Sequence, residues 1–347
     1  MSPAEAEGFY ALPEADQIRG LQQLAGEALR RWDLQGAKLT PTAYRENMTF
    51  RADAGERGRF ALRIHQARYR SDDEIASELD FMRALGERGV RTPEVVPARD
   101  GSLFVVAGSP AVPEARQCDL FEWIEGRLLR AAGESSRLSP ADLAAAYEEV
   151  GRQAASIANA AEGWRRPAGF TRPAWDAEGI FGVSAHLGDW RKLAILSDAQ
   201  RSLLERLAER LRADLAAFGT GPDRFGLCHG DFLPENLMVC DEGLRLIDFD
   251  DCGEGWYLFD FATALFDLLG EPSFDACLAA LVEGYRERRA LPEVHLARLP
   301  AFFLARALSY LGWSVTRSHL RKAHQIAPRL LANLEDSAPA YLAREPG

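Results

Sequence analysis

Strand-like and helix-like periodicity are segregated along this chain, and that order constrains its fold more than any other feature. Short runs with strand signals concentrate before about residue 125: Met48 to Ala52, Phe60 to His65, Leu103 to Val106 and Leu120 to Ile124. The first two flank Asp53 to Gly58, a loop with two glycines, and read as a hairpin. In its second arm Phe60, Leu62 and Ile64 point one way, and Ala61, Arg63 and His65 the other. A helical lead-in precedes them, with Ile18, Leu21, Leu24, Ala25, Ala28 and Leu29 at helical spacing.

Ser71 and Glu74 form a capping-box pattern. They open a helix carrying Ile75, Leu79, Phe81, Met82 and Leu85 that stops near Gly86 to Gly89. Beyond Gly126 the pattern is mostly helical. Ser139 caps a helix with Pro140 at its first position. Ser197 and Gln200 make a second capping box, after which Leu203, Leu204, Leu207, Leu211 and Leu215 line one face. Gly108 to Glu114 and Ala131 to Ser136 read as surface loops. Strands first and helices later indicate an α+β protein in two lobes. Residues 1–125 form the small, β-rich N-terminal lobe, and residues 126–347 the larger, mostly helical C-terminal lobe.

The net charge of −11 argues against general nucleic-acid binding, which depends on cations that neutralise phosphates. The five cysteines are scattered and odd in number, which predicts free thiols in a reducing compartment. With no signal peptide or transmembrane run evident, the expected location is the cytoplasm and no membrane association is expected.

The chemistry concentrates in two neighbouring segments, His229-Gly-Asp231-Phe-Leu-Pro-Glu-Asn236 and Leu246-Ile-Asp248-Phe-Asp250. Between them, Leu237 to Cys240 and Leu244 to Ile247 flank Asp241-Glu242-Gly243, a three-residue hairpin loop. Asn236 lies six residues before the centre of that hairpin and Asp248 six residues after it. Positions equidistant from the turn face each other in an antiparallel pair. The spacing therefore predicts an amide oxygen beside a carboxylate, the donor chemistry that magnesium takes when phosphates and water complete its shell. Asp231, on the loop entering the hairpin, is placed to accept or orient the proton of an attacking hydroxyl. Phosphoryl transfer asks for little more: a held metal, an oriented nucleophile and neutralised charge.

These segments resemble the H-x-D-x-x-x-x-N catalytic loop and D-F-G metal motif of kinases. With the stretch from Leu246 to Ala262 they are similar, more specifically, to the aminoglycoside phosphotransferase superfamily. That group includes choline, homoserine, fructosamine and hydroxylysine kinases and a bacterial stress-response kinase. The likeness spans about residues 40 to 310. It implies a protein-kinase-like fold with the nucleotide held by the N-terminal lobe, and ATP and Mg2+ as cofactors.

The resemblance also implies residue roles. Asp260 would brace the catalytic loop from a core helix, and His229 would be structural rather than a base. Arg63 stands where protein kinases carry the ATP lysine, with Glu78 as its partner and Glu74, one turn earlier, as the alternative. Phe121 to Gly126 matches the hinge, where the Glu122 carbonyl and the Ile124 amide would meet adenine. No glycine-rich loop precedes Arg63; Thr42 to Asn47 occupies that hairpin. Asp250, Asp251 and Glu254 form an acidic run that would receive a substrate amine or else be a solvated loop. Trp164, Trp175 and Trp190 would line an acceptor pocket or pack the core.

Two functions share these residues: a small-molecule kinase for an amine-bearing hydroxyl compound and a Ser/Thr protein kinase of the stress-response type. A nucleotide-binding pseudokinase is the third reading, but such proteins usually lose the base or the metal aspartate, and Asp231, Asn236 and Asp248 are all present. Asp260 follows Asp248 within twelve residues, which leaves no obvious activation segment and favours a small-molecule acceptor.

Overall fold

The computed structural model describes residues 8–129 and 138–345. Ala131 to Ser136, expected to be a loop, lie outside the described residues. The chain divides into two compact units. The first takes in the chain through Arg127 together with Arg165–Thr171 and Cys240–Asp250; the second takes in Leu128–Trp164, Arg172–Val239 and the chain from Asp251 on.

The first unit is built on five antiparallel strands: β1 (Lys38–Tyr44), β2 (Met48–Asp53), β3 (Arg59–Ile64), β4 (Phe104–Ser109) and β5 (Val112–Glu122). Their order is β1-β2-β3-β5-β4. Helix α1 (Glu14–Leu29) buries Leu21, Leu24, Ala25, Ala28 and Leu29 in one core with Phe50, Leu62, Ile64 and Leu120. Helix α2 (Asp72–Glu87) begins at the capping box of Ser71 and Glu74, in which both reciprocal bonds are present. It buries Ile75, Leu79, Phe81, Met82 and Leu85, so helical periodicity identified its inner face correctly.

Strand β5 departs from expectation. It runs from Val112 rather than Leu120, and Ile124 lies beyond its end. The segment Gly108 to Glu114, expected to be a surface loop, instead holds the end of β4, a two-residue turn at Pro110 and Ala111 and the start of β5, with Ser109 opposite Val112. Polar residues in Pro113 to Gln117 obscured the period-two signal. Arg116 is nonetheless buried, because its guanidinium donates to the His65 carbonyl at 3.1 Å and to the Tyr10 hydroxyl at 2.7 Å.

The second unit is mostly helical: α3 (Pro140–Glu162), α4 (Asp198–Phe218), α5 (Tyr257–Leu265), α6 (Phe274–Arg286), α7 (Leu299–Thr316) and α8 (Arg321–Leu342), with shorter turns between them. Ser139 caps α3, and Ser197 with Gln200 forms the capping box of α4. Leu204, Leu207, Leu211 and Leu215 are buried along α4, and Leu203 is half-buried. A small sheet of β6 (Ala174–Trp175), β7 (Phe225–Cys228) and β8 (Gly253–Trp256) has the order β6-β8-β7. Trp175 and Trp190 are fully buried and pack the core rather than lining a pocket. The five cysteines are free thiols. Among the described residues no helix is long and apolar enough to cross a membrane.

Helices α3 and α6 meet backbone to backbone. A Cβ on Gly284 would lie 1.8 Å from the Glu148 carbonyl oxygen, and one on Gly151 2.0 Å from that of Leu281. No side chain can yield there, so the helices themselves would have to part. Gly284→Ala is expected to destabilise the fold by about 1–3 kcal/mol through overpacking. A urea or thermal melt reads this as a lowered midpoint. An unchanged midpoint would contradict the close crossing.

Candidate active site

The segment after β7 is held from beneath. Asp260, on the first turn of α5, is buried and accepts the backbone amides of His229 at 3.0 Å and Gly230 at 2.9 Å. Burial pushes its carboxyl up to about 7, against the two amide donors and the Arg306 charge that favour ionisation. His229 is buried, and its Nδ1 accepts the Asp231 backbone amide at 3.2 Å. The ring thus closes a turn of its own loop. Gly230 has φ +78, and a Cβ there would meet the Asp251 carbonyl oxygen at 2.4 Å and Trp175 Nε1 at 2.6 Å. Only glycine lets the chain make this bend.

The bend presents Asp231, which is held on both carboxylate oxygens. Oδ1 accepts Nη2 of Arg306 at 2.8 Å, and Oδ2 accepts Nδ2 of Asn236 at 3.0 Å. Asn236 Nδ2 also donates to the Asp231 carbonyl at 3.0 Å, and the asparagine ends the turn Pro234–Asn236. Burial raises the Asp231 carboxyl above the ordinary aspartate range, and the Arg306 guanidinium opposes part of that rise. Arg306 comes from α7, is 1% exposed, and lies against the rings of Phe259 and Tyr310. Sequence reasoning missed it. The available signal was a single cation between apolar neighbours, Leu304-Ala-Arg306-Ala-Leu308.

In the first unit, Arg63 is the centre of a buried ion network. Glu78 on α2 meets its Nη2 at 2.8 Å, so Glu78, not Glu74, is the partner. Glu74 caps its helix and lies 3.6 Å from Arg70. A second acid was not foreseen. Asp119 on β5 sits opposite Arg63 in register and takes it two-pronged, Nε to Oδ1 at 3.0 Å and Nη2 to Oδ2 at 2.6 Å. His65 Nε2 lies 2.9 Å from the same Oδ2. Burial alone would raise the Asp119 carboxyl, but Arg63 and His65 hold it at about 2. The missed signal was a charge inside the apolar run Cys118-Asp-Leu-Phe.

The third nitrogen of Arg63, Nη1, lies 4.0 Å from Asp248 Oδ1. Asp248 has φ +64, uncommon for a non-glycine residue, and its side chain is 53% exposed. Asp241 and Glu242 form the preceding turn, and Gly243, at φ +107, is already the first residue of the next strand. Asp250 is nearly buried, with Asn47 Nδ2 at 3.2 Å and Arg70 Nε at 3.6 Å. Asp251 and Glu254 belong to the second unit, as do Asp231 and Asn236, whereas Asp248 and Asp250 belong to the first. At the hinge segment, β5 ends at Glu122, which pairs with Phe60 and donates its amide to the Glu94 carbonyl at 3.0 Å. Ile124 follows outside the strand and is half-buried.

The fold is an α+β, protein-kinase-like one, and comparison with known proteins places it. The family model described as the phosphotransferase enzyme family matches residues 40–302. The chain belongs to that family and is an enzyme, a phosphotransferase of the kinase type. The structure of a microcompartment-associated aminopropanol kinase matches with a TM-score of 0.81, at 34% identity, over 93% of this chain and 98% of that one. A homoserine kinase of Sinorhizobium fredii is 28% identical over 273 residues, 74% of each chain. An amicoumacin kinase, solved in complex with AMP-PNP, Ca2+ and Ami, shares the fold with a TM-score of 0.74 at 20% identity over 96% of each chain. The relatives named here are small-molecule kinases.

Proposed function

We propose that this enzyme transfers the γ-phosphoryl group of ATP, with magnesium, to a hydroxyl of a small, amine-bearing molecule. The observation that carries the reading is Asp231, a carboxylate fixed on both oxygens at the tip of a loop braced by Asp260. Such a group suits a base that orients an acceptor hydroxyl and takes its proton as the new oxygen–phosphorus bond forms. The bond to the β-phosphate oxygen breaks in the same step, ADP leaves, and the proton passes from Asp231 to solvent.

The donor chemistry fits a hard dication. Asn236 spends Nδ2 on Asp231, which leaves Oδ1 as the oxygen it can offer, and Asp248 offers a half-exposed carboxylate. Both are oxygen ligands, and we assign the metal to them. When bound with the nucleotide, magnesium would neutralise charge on the transferred phosphoryl oxygens. Arg63 has two nitrogens engaged by Asp119 and Glu78, so Nη1 is its donor toward a phosphate oxygen. The Glu122 carbonyl and the Ile124 amide are assigned to adenine, as the family resemblance implies.

Aminopropanol and homoserine, the substrates in the relatives' names, each carry an amine and a hydroxyl. A cationic acceptor also suits a chain of net charge −11, with Asp251 and Glu254 as candidate carboxylates for the ammonium. The test compares amino alcohols with the matching diols that lack the amine. The amine compound is expected to win by at least about 100-fold in kcat/KM, because the diol leaves a binding group unpaired. Equal rates for the two would remove the amine from the proposal.

A further inference from the structure

We infer that Arg306 is a positioning residue for Asp231, holding the proton-accepting carboxylate in one orientation from helix α7. The inference rests on the assignment of Asp231 as the base.

A guanidinium at 1% exposure has left water almost completely. Burying a cation is costly unless hydrogen bonds and an opposite charge compensate. Around Arg306 few hydrogen bonds do this. Its guanidinium carbon lies 5.4 Å from the Phe259 ring centroid and 4.3 Å from that of Tyr310, contacts that attract a cation but accept no conventional hydrogen bond. Nη2 alone is bonded, to Asp231 at 2.8 Å and to the Tyr310 hydroxyl at 3.1 Å. Nε and Nη1 are buried without a partner among the described residues. An arginine kept for stability would use its fork of donors. This one is confined between two rings so that a single nitrogen reaches a single carboxylate oxygen.

The result is a two-point clamp. Arg306 holds Oδ1 from α7, and Asn236 holds Oδ2 from the turn after the loop. The carboxylate cannot rotate about its Cβ–Cγ bond without losing one of the two. The lone pairs left over therefore have a fixed direction, as in-line attack by a bound hydroxyl requires. Nothing in this role asks Arg306 to touch the acceptor.

The experiment uses Arg306→Met, which fills the slot between the rings without charge or donor, and Arg306→Lys, which keeps the charge without the fork. Arg306→Met is expected to lower kcat by about 100-fold, the scale of a misplaced reacting group. Acceptor KM should stay near the wild-type value, since ground-state binding is untouched. Arg306→Lys should recover part of the lost kcat. Crystals of the variants supply a readout independent of any acceptor: Asp231 should leave its wild-type rotamer or occupy more than one. That readout separates failure of this inference from failure of the kinase assignment. An unchanged single Asp231 rotamer in Arg306→Met overturns the inference whatever the kinetics. A raised KM with intact kcat overturns it too, by making Arg306 an acceptor-binding residue. If Arg306→Met does not fold, Arg306→Leu, likewise without charge or donor, carries the same test, and a wild-type rotamer with wild-type kcat in that variant overturns the inference.

Discussion

Asp231→Asn is expected to lower phosphoryl transfer by about 10²–10⁴-fold, the range a positioned general base contributes. The amide keeps the shape of the carboxylate but cannot take a proton. It also meets two donors, Arg306 Nη2 and Asn236 Nδ2, where the carboxylate offered an acceptor to each. One of these two hydrogen bonds is therefore lost, and Arg306, almost fully buried, loses its counter-charge. Some loss of stability should accompany the loss of activity, so rates belong to protein shown to be folded by a thermal melt at the assay temperature. Nucleotide affinity should persist, because Asp231 is assigned to the acceptor and not to ATP. A variant that keeps kcat within about tenfold of the wild type would contradict the base role.

Asp119→Asn is expected to cost about 3 kcal/mol of stability at neutral pH, the lower end for breaking a buried ion pair. Glu78 still faces Arg63 after the change, which limits the penalty. The pH dependence has a definite sign. The folded carboxyl sits at about 2, below the ordinary aspartate value of about 3.9 in an unfolded chain. Its stabilisation is therefore fully present above the unfolded value and is lost as pH falls from about 4 through about 2. Urea midpoints of wild type and variant should differ most at neutral pH and converge as the solution is acidified. Equal midpoints at neutral pH would show that the Arg63–Asp119 pair adds nothing to stability.

What the sequence made legible was local. The loop from His229 to Asn236 and the segment around Asp248 carry their candidate chemistry within a few residues of each other, although the turn between them is Asp241 and Glu242 alone, not the three-residue loop expected. Glu78 was reachable through the family resemblance, with Glu74 one helical turn away left as the alternative until the structure separated them. Helix starts at Ser71, Ser139 and Ser197 followed from side chains that satisfy the first free amides of a helix.

What remained hidden depends on tertiary register. Asp119 meets Arg63 only because β3 and β5 pair with these two residues opposite each other, fifty-six positions apart. Arg306 reaches Asp231 across seventy-five positions. No local pattern encodes either contact; a lone charge in an apolar run was the only trace of each. The start of β5 was obscured because Arg116 is buried by hydrogen bonds rather than by apolar character. The return of Arg165–Thr171 and Cys240–Asp250 to the first unit has no sequence signature at all.

The most direct test of the central claim is transfer of label from γ-labelled ATP, with magnesium, to small amino alcohols such as aminopropanol and homoserine, with a generic protein substrate and Asp231→Asn run alongside. The account predicts labelled phosphate on a small amino alcohol, lost in the variant and on removal of magnesium by a chelator. Label found only on protein, or no transfer together with no ATP binding, would contradict it.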